Sequence, residues 1–156
     1  MMEISKFMKQ AIDLARENVK IKHGRPFGAV IVKHGEVIAT GVNDILETHD
    51  PTAHAEIQAI RKASQYLQTA QLTGCELYAS GQPCPMCLSA IHLSGVKAVY
   101  FAYSNEQATE FGLSTAHLYE QMALPIEKQS LLIRQIENTT DSEHPYELWD
   151  NIKRVK

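Results

Sequence analysis

The sequence predicts an α/β fold, a three-layer α/β/α sandwich with a central five-stranded mixed sheet in a single domain, residues 1–156. Segments rich in β-branched residues alternate along the chain with amphipathic segments, and this order is typical of layered α/β folds. Two of the predicted strands, 27–33 and 36–43, are separated only by His34 and Gly35, which predicts an antiparallel hairpin. With 156 residues, the chain is long enough to bury one hydrophobic core.

The spacing of apolar residues, together with proline and glycine at helix ends, predicts the first three helices. Apolar residues recur at helical spacing from Ile4 to Val19, with charged residues on the other side. After the hairpin, Pro51 marks the entry of a second helix that runs to about residue 70. A third helix is predicted from Pro85 to Ser94, and Gly95 closes it.

Three further strands and three shorter helices complete the predicted fold. The segment 97–103 is mostly apolar, so we expect it in the interior of the sheet. The other predicted strands are 75–79 and 130–136, and the other predicted helices are 105–110, 114–122 and 145–153.

Composition and charge limit the function. The chain has 15 lysines and arginines against 18 aspartates and glutamates, a net charge of −3, so it lacks the basic footprint of a protein that grips long nucleic acid. This favours a small-molecule substrate. No apolar run has the length of a signal peptide core or a membrane span, so we expect a cytoplasmic protein with no membrane partner. Three cysteines, of which Cys75 is expected to be a buried apolar residue, fit a reducing compartment better than a disulfide framework.

Two short motifs carry the chemistry. The first is His54-Ala55-Glu56 and the second is Pro83-Cys84-Pro85-Met86-Cys87. One imidazole and two thiolates make three ligands for one Zn²⁺ ion, and three ligands leave a coordination position for water. Zinc lowers the pKa of such a water to about 7, and Glu56 is placed to move its protons. This spacing is a signature of zinc-dependent nucleobase deaminases.

Two other interpretations of the cysteine pair compete with an open catalytic site. A structural zinc site needs a fourth protein ligand, for which His49, Cys75 and His92 are candidates, although none has a spacing that recommends it. A C-x-x-C pair also occurs in redox proteins, but that interpretation leaves His54 and Glu56 unexplained.

With these residues in view, the chain resembles the cytidine and deoxycytidylate deaminase superfamily, and within it the bacterial guanine deaminases. The residues that carry the likeness are the two zinc motifs, Asn43, and the stretches 26–32, 50–53, 111–112 and 118–119. The resemblance implies a cytidine deaminase-like fold and a purine-metabolism hydrolase that converts guanine to xanthine and ammonia. It also implies substrate contacts from Phe27, Asn43 and Ala55, and a homodimer in which the C-terminal segment closes an active site. Phe27 could instead be an ordinary core aromatic, and Asn43 could simply turn the chain.

Some positions depart from the guanine-specific pattern. Ser114-Thr115 occupies a stretch where an acidic residue is usual, Gln82 replaces the usual glutamate, and His92-Leu93 replaces bulky aromatics. Asp141 or Glu143 could supply the missing charge. The alternatives are therefore a tRNA adenosine deaminase, a cytosine, cytidine or other purine deaminase, and a zinc-stabilised interaction module without activity.

Overall fold

A mixed β-sheet organises the protein, whose computed structural model describes residues 2–140 and 143–155. Within these residues the sheet has four strands in the order β2-β1-β3-β4. β1 pairs antiparallel with both β2 and β3, and β3 pairs parallel with β4. The strands are β1 Gly28–Lys33, β2 Glu36–Val42, β3 Cys75–Gly81 and β4 Ala98–Tyr103.

The hairpin between β1 and β2 is confirmed. His34 and Gly35 both adopt left-handed backbone conformations, with φ of 52° and 75°, and Lys33 pairs with Glu36. Two consecutive left-handed residues define the type of two-residue turn whose twist matches that of the strands.

The helices also follow the sequence pattern closely. They are α1 Met2–Lys22, α2 Ile45–Thr48, α3 Ala55–Leu67, α4 Pro85–Ser94, α5 Asn105–Thr109, α6 Ala116–Met122 and α7 Pro145–Val155. The single-turn helix α2 was not predicted, because its four residues lie in a polar stretch and are too few to show a helical period.

Two glycines let helices lie directly on the sheet. A Cβ on Gly28 would lie 2.9 Å from the backbone nitrogen of Ala15 in α1, and a Cβ on Gly41 would lie 2.6 Å from that of Ala59 in α3. Val30 and Val32 of β1 pack in one buried cluster with Phe7 of α1, whereas the alternate residues pack in another with α3. Alternate residues of a strand face opposite sides of the sheet, so α1 and α3 cover its two faces.

The prediction of a five-stranded sheet is wrong for the described residues. The segment 130–136 forms no strand there, and Leu131, Leu132 and Ile136 are 69–87% exposed. Apolar and β-branched residues favour a strand locally, but a strand exists only where a neighbour completes its hydrogen-bond ladder. The prediction that 97–103 lies in the interior of the sheet is also wrong, because without the fifth strand β4 is an edge strand of the described sheet.

The contacts divide the chain into two compact units, one up to Leu124 and one from Pro125 onward. The second unit contains a 3₁₀ turn, Ile126–Lys128, and the predicted C-terminal helix, α7. The single-domain assignment therefore stays a prediction. Among the described helices, none has the length and apolarity to cross a membrane.

Candidate metal centre and substrate cleft

The two zinc motifs meet where α3 and α4 begin. His54 is the residue before α3 and Cys84 the residue before α4, each with an extended backbone, while Cys87 lies in the first turn of α4. Both helices therefore direct the positive ends of their dipoles at the same point, which favours thiolate sulfur there.

The distances fit a zinc ion. His54 Nδ1 lies 3.6 Å from Cys84 Sγ and 3.4 Å from Cys87 Sγ. All three ligand atoms lie within 4.8 Å of one another. A tetrahedral zinc with Zn–N bonds of about 2.0–2.1 Å and Zn–S bonds of about 2.3 Å places its nitrogen and sulfur ligands about 3.6 Å apart. The three side chains could therefore hold zinc with little movement.

The two thiols polarise each other. The hydrogen bond from Cys87 lowers the pKa of the Cys84 thiol to about 4, assisted by His54 and opposed by burial. The same contact and burial raise the pKa of Cys87. The Cys84 thiolate in turn raises the pKa of His54, against the effect of burial. A metal binds thiolates, so zinc binding must displace the proton that Cys87 retains.

Glu56 lies beside the candidate ligands without joining them. It is in the first turn of α3, is 7% exposed, and lines the cleft described below. Burial raises the pKa of its carboxyl above the ordinary value. A buried carboxyl with a raised pKa exchanges protons near neutral pH more readily than an exposed one, as a general acid and base must.

The described residues offer no fourth ligand for a closed structural site. The group of possible metal ligands there consists of His54, Cys84 and Cys87. Cys75 is fully buried in the core with α3 and Leu77, as predicted, and His49 and His92 do not belong to the ligand group. The geometry therefore favours an open site.

A cleft of about 1020 Å³ opens over this centre, and it is lined by His54, Glu56 and Cys84. Its walls come from α1, from the loop before β1, from the end of β3 and from the segment that includes α5 and the start of α6. The volume is at the upper end of the range for small-ligand sites, so it accommodates more than a free base.

Two of the three predicted substrate contacts lie on this cleft. Phe27 is half-buried and lines it, and Asn43 is 4% exposed and lines it as well. Asn43 also turns the chain, since its Oδ1 accepts a hydrogen bond of 3.2 Å from the backbone N–H of Ile45. Ala55 is fully buried and is not among the lining residues, so the arrangement supports contacts from Phe27 and Asn43 more directly than from Ala55.

Hydrogen bonds connect the segment from Ser104 to Tyr119 to the second zinc motif and to the residue before it. Gln82 Oε1 accepts a hydrogen bond of 2.9 Å from the backbone N–H of Asn105, and the Tyr119 hydroxyl donates to the backbone oxygen of Pro83. Asn105 Oδ1 accepts from both the N–H and the hydroxyl of Thr115, at 3.4 and 3.2 Å. Sequence reasoning noted Gln82 only as a departure. The hydrogen bond from the backbone N–H of Asn105, at the start of α5, to Gln82 could be found only from the structure.

Comparison with known proteins gives a consistent result. Residues 1–103 match the model of the cytidine and deoxycytidylate deaminase zinc-binding region. The guanine deaminase of Bacillus subtilis is 43% identical over 150 residues, which are 96% of each chain. The X-ray structure of guanine deaminase from Bacillus subtilis superposes with a TM-score of 0.88 at 44% identity, covering 94% of this chain and 93% of that one.

Other relatives match a shorter part of this chain. A tRNA-specific adenosine deaminase of Aquifex aeolicus is 45% identical over 96 residues, 62% of this chain and 63% of the relative. The structure of a guanine deaminase from Nitrosomonas europaea, and a structure in complex with 8-azaguanine, each superpose with a TM-score of 0.67 at 31% identity. Each of these matches covers 70% of this chain and 63% of the other.

Proposed function

Because the chain belongs to the cytidine and deoxycytidylate deaminase family, whose members are zinc-dependent, we propose that it hydrolyses guanine to xanthine and ammonia. The observation that carries this proposal is a cleft with three candidate zinc ligands and a separate buried carboxylate beside them. We further propose that the reaction takes place in the cytoplasm, since two free thiols serve as ligands.

In this proposal His54, Cys84 and Cys87 would hold a zinc ion, which would acidify a water so that it can serve as the nucleophile. Glu56 would accept a proton from the attacking water and pass it to a ring nitrogen. It would then take the remaining proton of the newly added hydroxyl and deliver it to the departing amine, so that each proton delivered has first been accepted. Its position in the first turn of α3, directly after His54, keeps the carboxylate beside the metal but outside its ligand group.

Phe27 and Asn43 would recognise the base. The ring of Phe27 offers a face on which a planar base can stack. Asn43 uses Oδ1 for Ile45, and no protein acceptor for its Nδ2 is found in the described part of the chain. An amide N–H at this place suits a base that presents a carbonyl, as guanine and cytosine do and adenine does not.

The donor edge of guanine needs an acceptor as well. Ser114 and Thr115, which occupy the stretch where the resemblance leads us to expect an acid, line the cleft. Their hydroxyls can accept a hydrogen bond, but they carry no charge. Glu143 is exposed in the second unit and could supply a carboxylate, whereas the other candidate, Asp141, lies outside the described residues.

A homodimer would bring the second unit of one chain to the cleft of its partner. The support is the exposure of large apolar side chains in that unit, among them Leu132 at 78%, Tyr146 at 79% and Trp149 at 64%. Exposed apolar surface of this kind marks an interface. Sedimentation of the wild type and of Leu132→Glu would test it, since the variant should sediment as a monomer.

The substrate is tested by ammonia release from zinc-loaded protein supplied with guanine, guanosine, adenine, cytosine, cytidine and isocytosine. Turnover of guanine above the other bases would support the proposal. Turnover of another base alone would reassign the substrate within the family, and absence of turnover across the panel would refute deamination of free bases and nucleosides.

Deamination of adenosine in tRNA is the second candidate. The similarity to the Aquifex aeolicus enzyme favours it, as do Arg16, Lys20 and Arg25, three cations that line the cleft. Binding of a tRNA anticodon stem-loop at several salt concentrations tests it. Phosphate contacts would make the affinity fall steeply with salt, whereas a guanine deaminase should show weak binding at every concentration.

A further inference from the structure

One buried amide in α1 joins two walls of the cleft. Asn18 is 3% exposed, and its Nδ2 donates to the backbone oxygens of Arg25 and of Asn43, each at 2.8 Å. Arg25 precedes β1 and Asn43 follows β2, and both line the cleft. A single side chain thus links the beginning and the end of the hairpin.

These two contacts close a ring of hydrogen bonds around Phe27. The backbone N–H of Asn43 donates to the oxygen of Phe27 at 3.1 Å, and the N–H of Phe27 donates to the oxygen of Arg25 at 2.9 Å. The backbone of both candidate base-contacting residues is therefore connected to the Asn18 amide, directly for Asn43 and through Arg25 for Phe27.

The surroundings show that Asn18 does not simply fill space. Among the described residues its Oδ1 is buried without a hydrogen-bond partner, which destabilises the fold compared with an apolar side chain of the same size. A Cβ on Gly24 would lie only 2.6 Å from Asn18 Nδ2, so the turn that ends α1 closes directly over the amide. The two donated bonds are what an asparagine provides here and an apolar residue would not.

We propose that Asn18 is a positioning residue for base recognition, which fixes the backbone at Arg25 and Asn43 and thereby directs the Phe27 ring and the Asn43 amide at the base. This inference rests on the proposed deamination of a free base. It also separates recognition of the base from the chemical step, because the hydrogen bonds of the Asn18 side chain to Arg25 and Asn43 reach neither the zinc ligand group nor Glu56.

The test compares Asn18→Leu with Phe7→Leu. Leucine retains roughly the size of asparagine and removes both donors. Phe7 is buried on the same helix against Tyr78, away from the cleft, so its variant controls for general destabilisation. We expect Asn18→Leu to raise KM for the preferred base at least tenfold, with kcat within threefold and zinc content unchanged. Phe7→Leu should leave KM unchanged, and equal KM values in the two variants would overturn the proposal.

A double-mutant cycle tests whether Asn18 acts through Asn43. If it does, Asn18→Leu should lower kcat/KM by a clearly smaller factor in an Asn43→Ala background than in the wild type, because one of the two groups that it positions is already gone. If the two losses multiply in full, the proposal is wrong.

Hydrogen exchange gives a readout that needs no substrate. The backbone N–H of Asn43 should exchange at least tenfold faster in Asn18→Leu than in Phe7→Leu. An unchanged exchange rate would overturn the proposal even if the variant were an active enzyme. Should the wild type deaminate no base, the proposed function fails, and exchange at Asn43 still decides whether Asn18 holds this wall.

Discussion

The backbone nitrogen of Ala59 lies 2.6 Å from the place that a Cβ on Gly41 would occupy. α3 therefore rests directly on β2, with no side chain between them. His54 and Glu56 lie at the start of this helix, so the distance between α3 and β2 determines how far both side chains lie from the sheet.

Replacing Gly41 with alanine should lift α3 from the sheet. We expect Gly41→Ala to cost about 1–3 kcal/mol of stability, as overpacking usually does, and to lower kcat at least tenfold because His54 and Glu56 move together. Denaturant unfolding and steady-state kinetics measure the two effects.

Gly35→Ala is the matched control for this prediction. A Cβ on Gly35 meets nothing within 4 Å, but its φ of 75° strains any other residue. It should therefore cost about 1 kcal/mol of stability and leave kcat unchanged. Equal kcat in both variants would show that the contact between α3 and β2 does not set the geometry of the site.

Glu56→Gln tests the proton shuttle. The amide is nearly isosteric but cannot accept and return a proton, so kcat should fall by about 10²–10⁴-fold while zinc content stays at the wild-type level. Glu76→Gln serves as the control, because Glu76 is partly buried on β3 and lies 3.7 Å from Lys97 rather than at the cleft. Full activity of Glu56→Gln would show that Glu56 is not the proton shuttle, and absence of turnover in the wild type as well would identify a zinc-stabilised module without catalysis.

The metal should contribute to stability as well as to chemistry. A free zinc concentration of 100 times the dissociation constant stabilises the folded protein by about 2.7 kcal/mol. Removal of the zinc by a chelator should therefore lower Tm by about 5–10 °C for a chain of this length. Calorimetry with and without a chelator measures it, and an unchanged Tm would argue against a bound metal.

Substitution of each cysteine distinguishes the two proposed zinc ligands from the cysteine that is buried in the core. Cys84→Ser and Cys87→Ser should lose most of their zinc, as elemental analysis would show, because a hydroxyl is a poor zinc ligand. Cys75→Ala should keep it, since Cys75 is buried in the core outside the ligand group. Loss of zinc from Cys75→Ala as well would mean that Cys75 takes part in ligation.

Ser114→Asp should strengthen the preference for guanine. Ser114 lines the cleft and its Oγ accepts a hydrogen bond of 3.2 Å from the N–H of Ala116, which an aspartate oxygen can also accept. The added carboxylate can bind the donor edge of guanine, so kcat/KM for guanine relative to adenine should rise at least tenfold. Ser114→Asn is the control without charge, and an equal ratio in both variants would exclude this position from recognition.

Much of this site could be predicted from sequence because its groups lie close together along the chain. His54 and Glu56 share one helix start and Cys84 and Cys87 another, so local spacing determines their relative positions. The contacts of Asn18 and Gln82 reach residues 25 and 23 positions away, and nothing in their neighbourhoods signals such a partner.

The missing strand has a comparable cause. Residues 130–136 have the composition of a strand, but composition describes only the segment itself, whereas a strand depends on a partner. The missing strand and the unforeseen contacts of Asn18 and Gln82 therefore all concern pairing over a distance, whereas the residues of each zinc motif lie within one helical turn.

The most direct test of the zinc site is X-ray absorption spectroscopy of the zinc-loaded protein. His54, Cys84 and Cys87 with one open position predict two sulfur ligands at about 2.3 Å, one imidazole nitrogen, and one further light atom at about 2.0–2.1 Å that does not come from a second histidine. A spectrum with three sulfur ligands or two imidazoles would mean that a fourth side chain closes the site, which would contradict a hydrolytic centre.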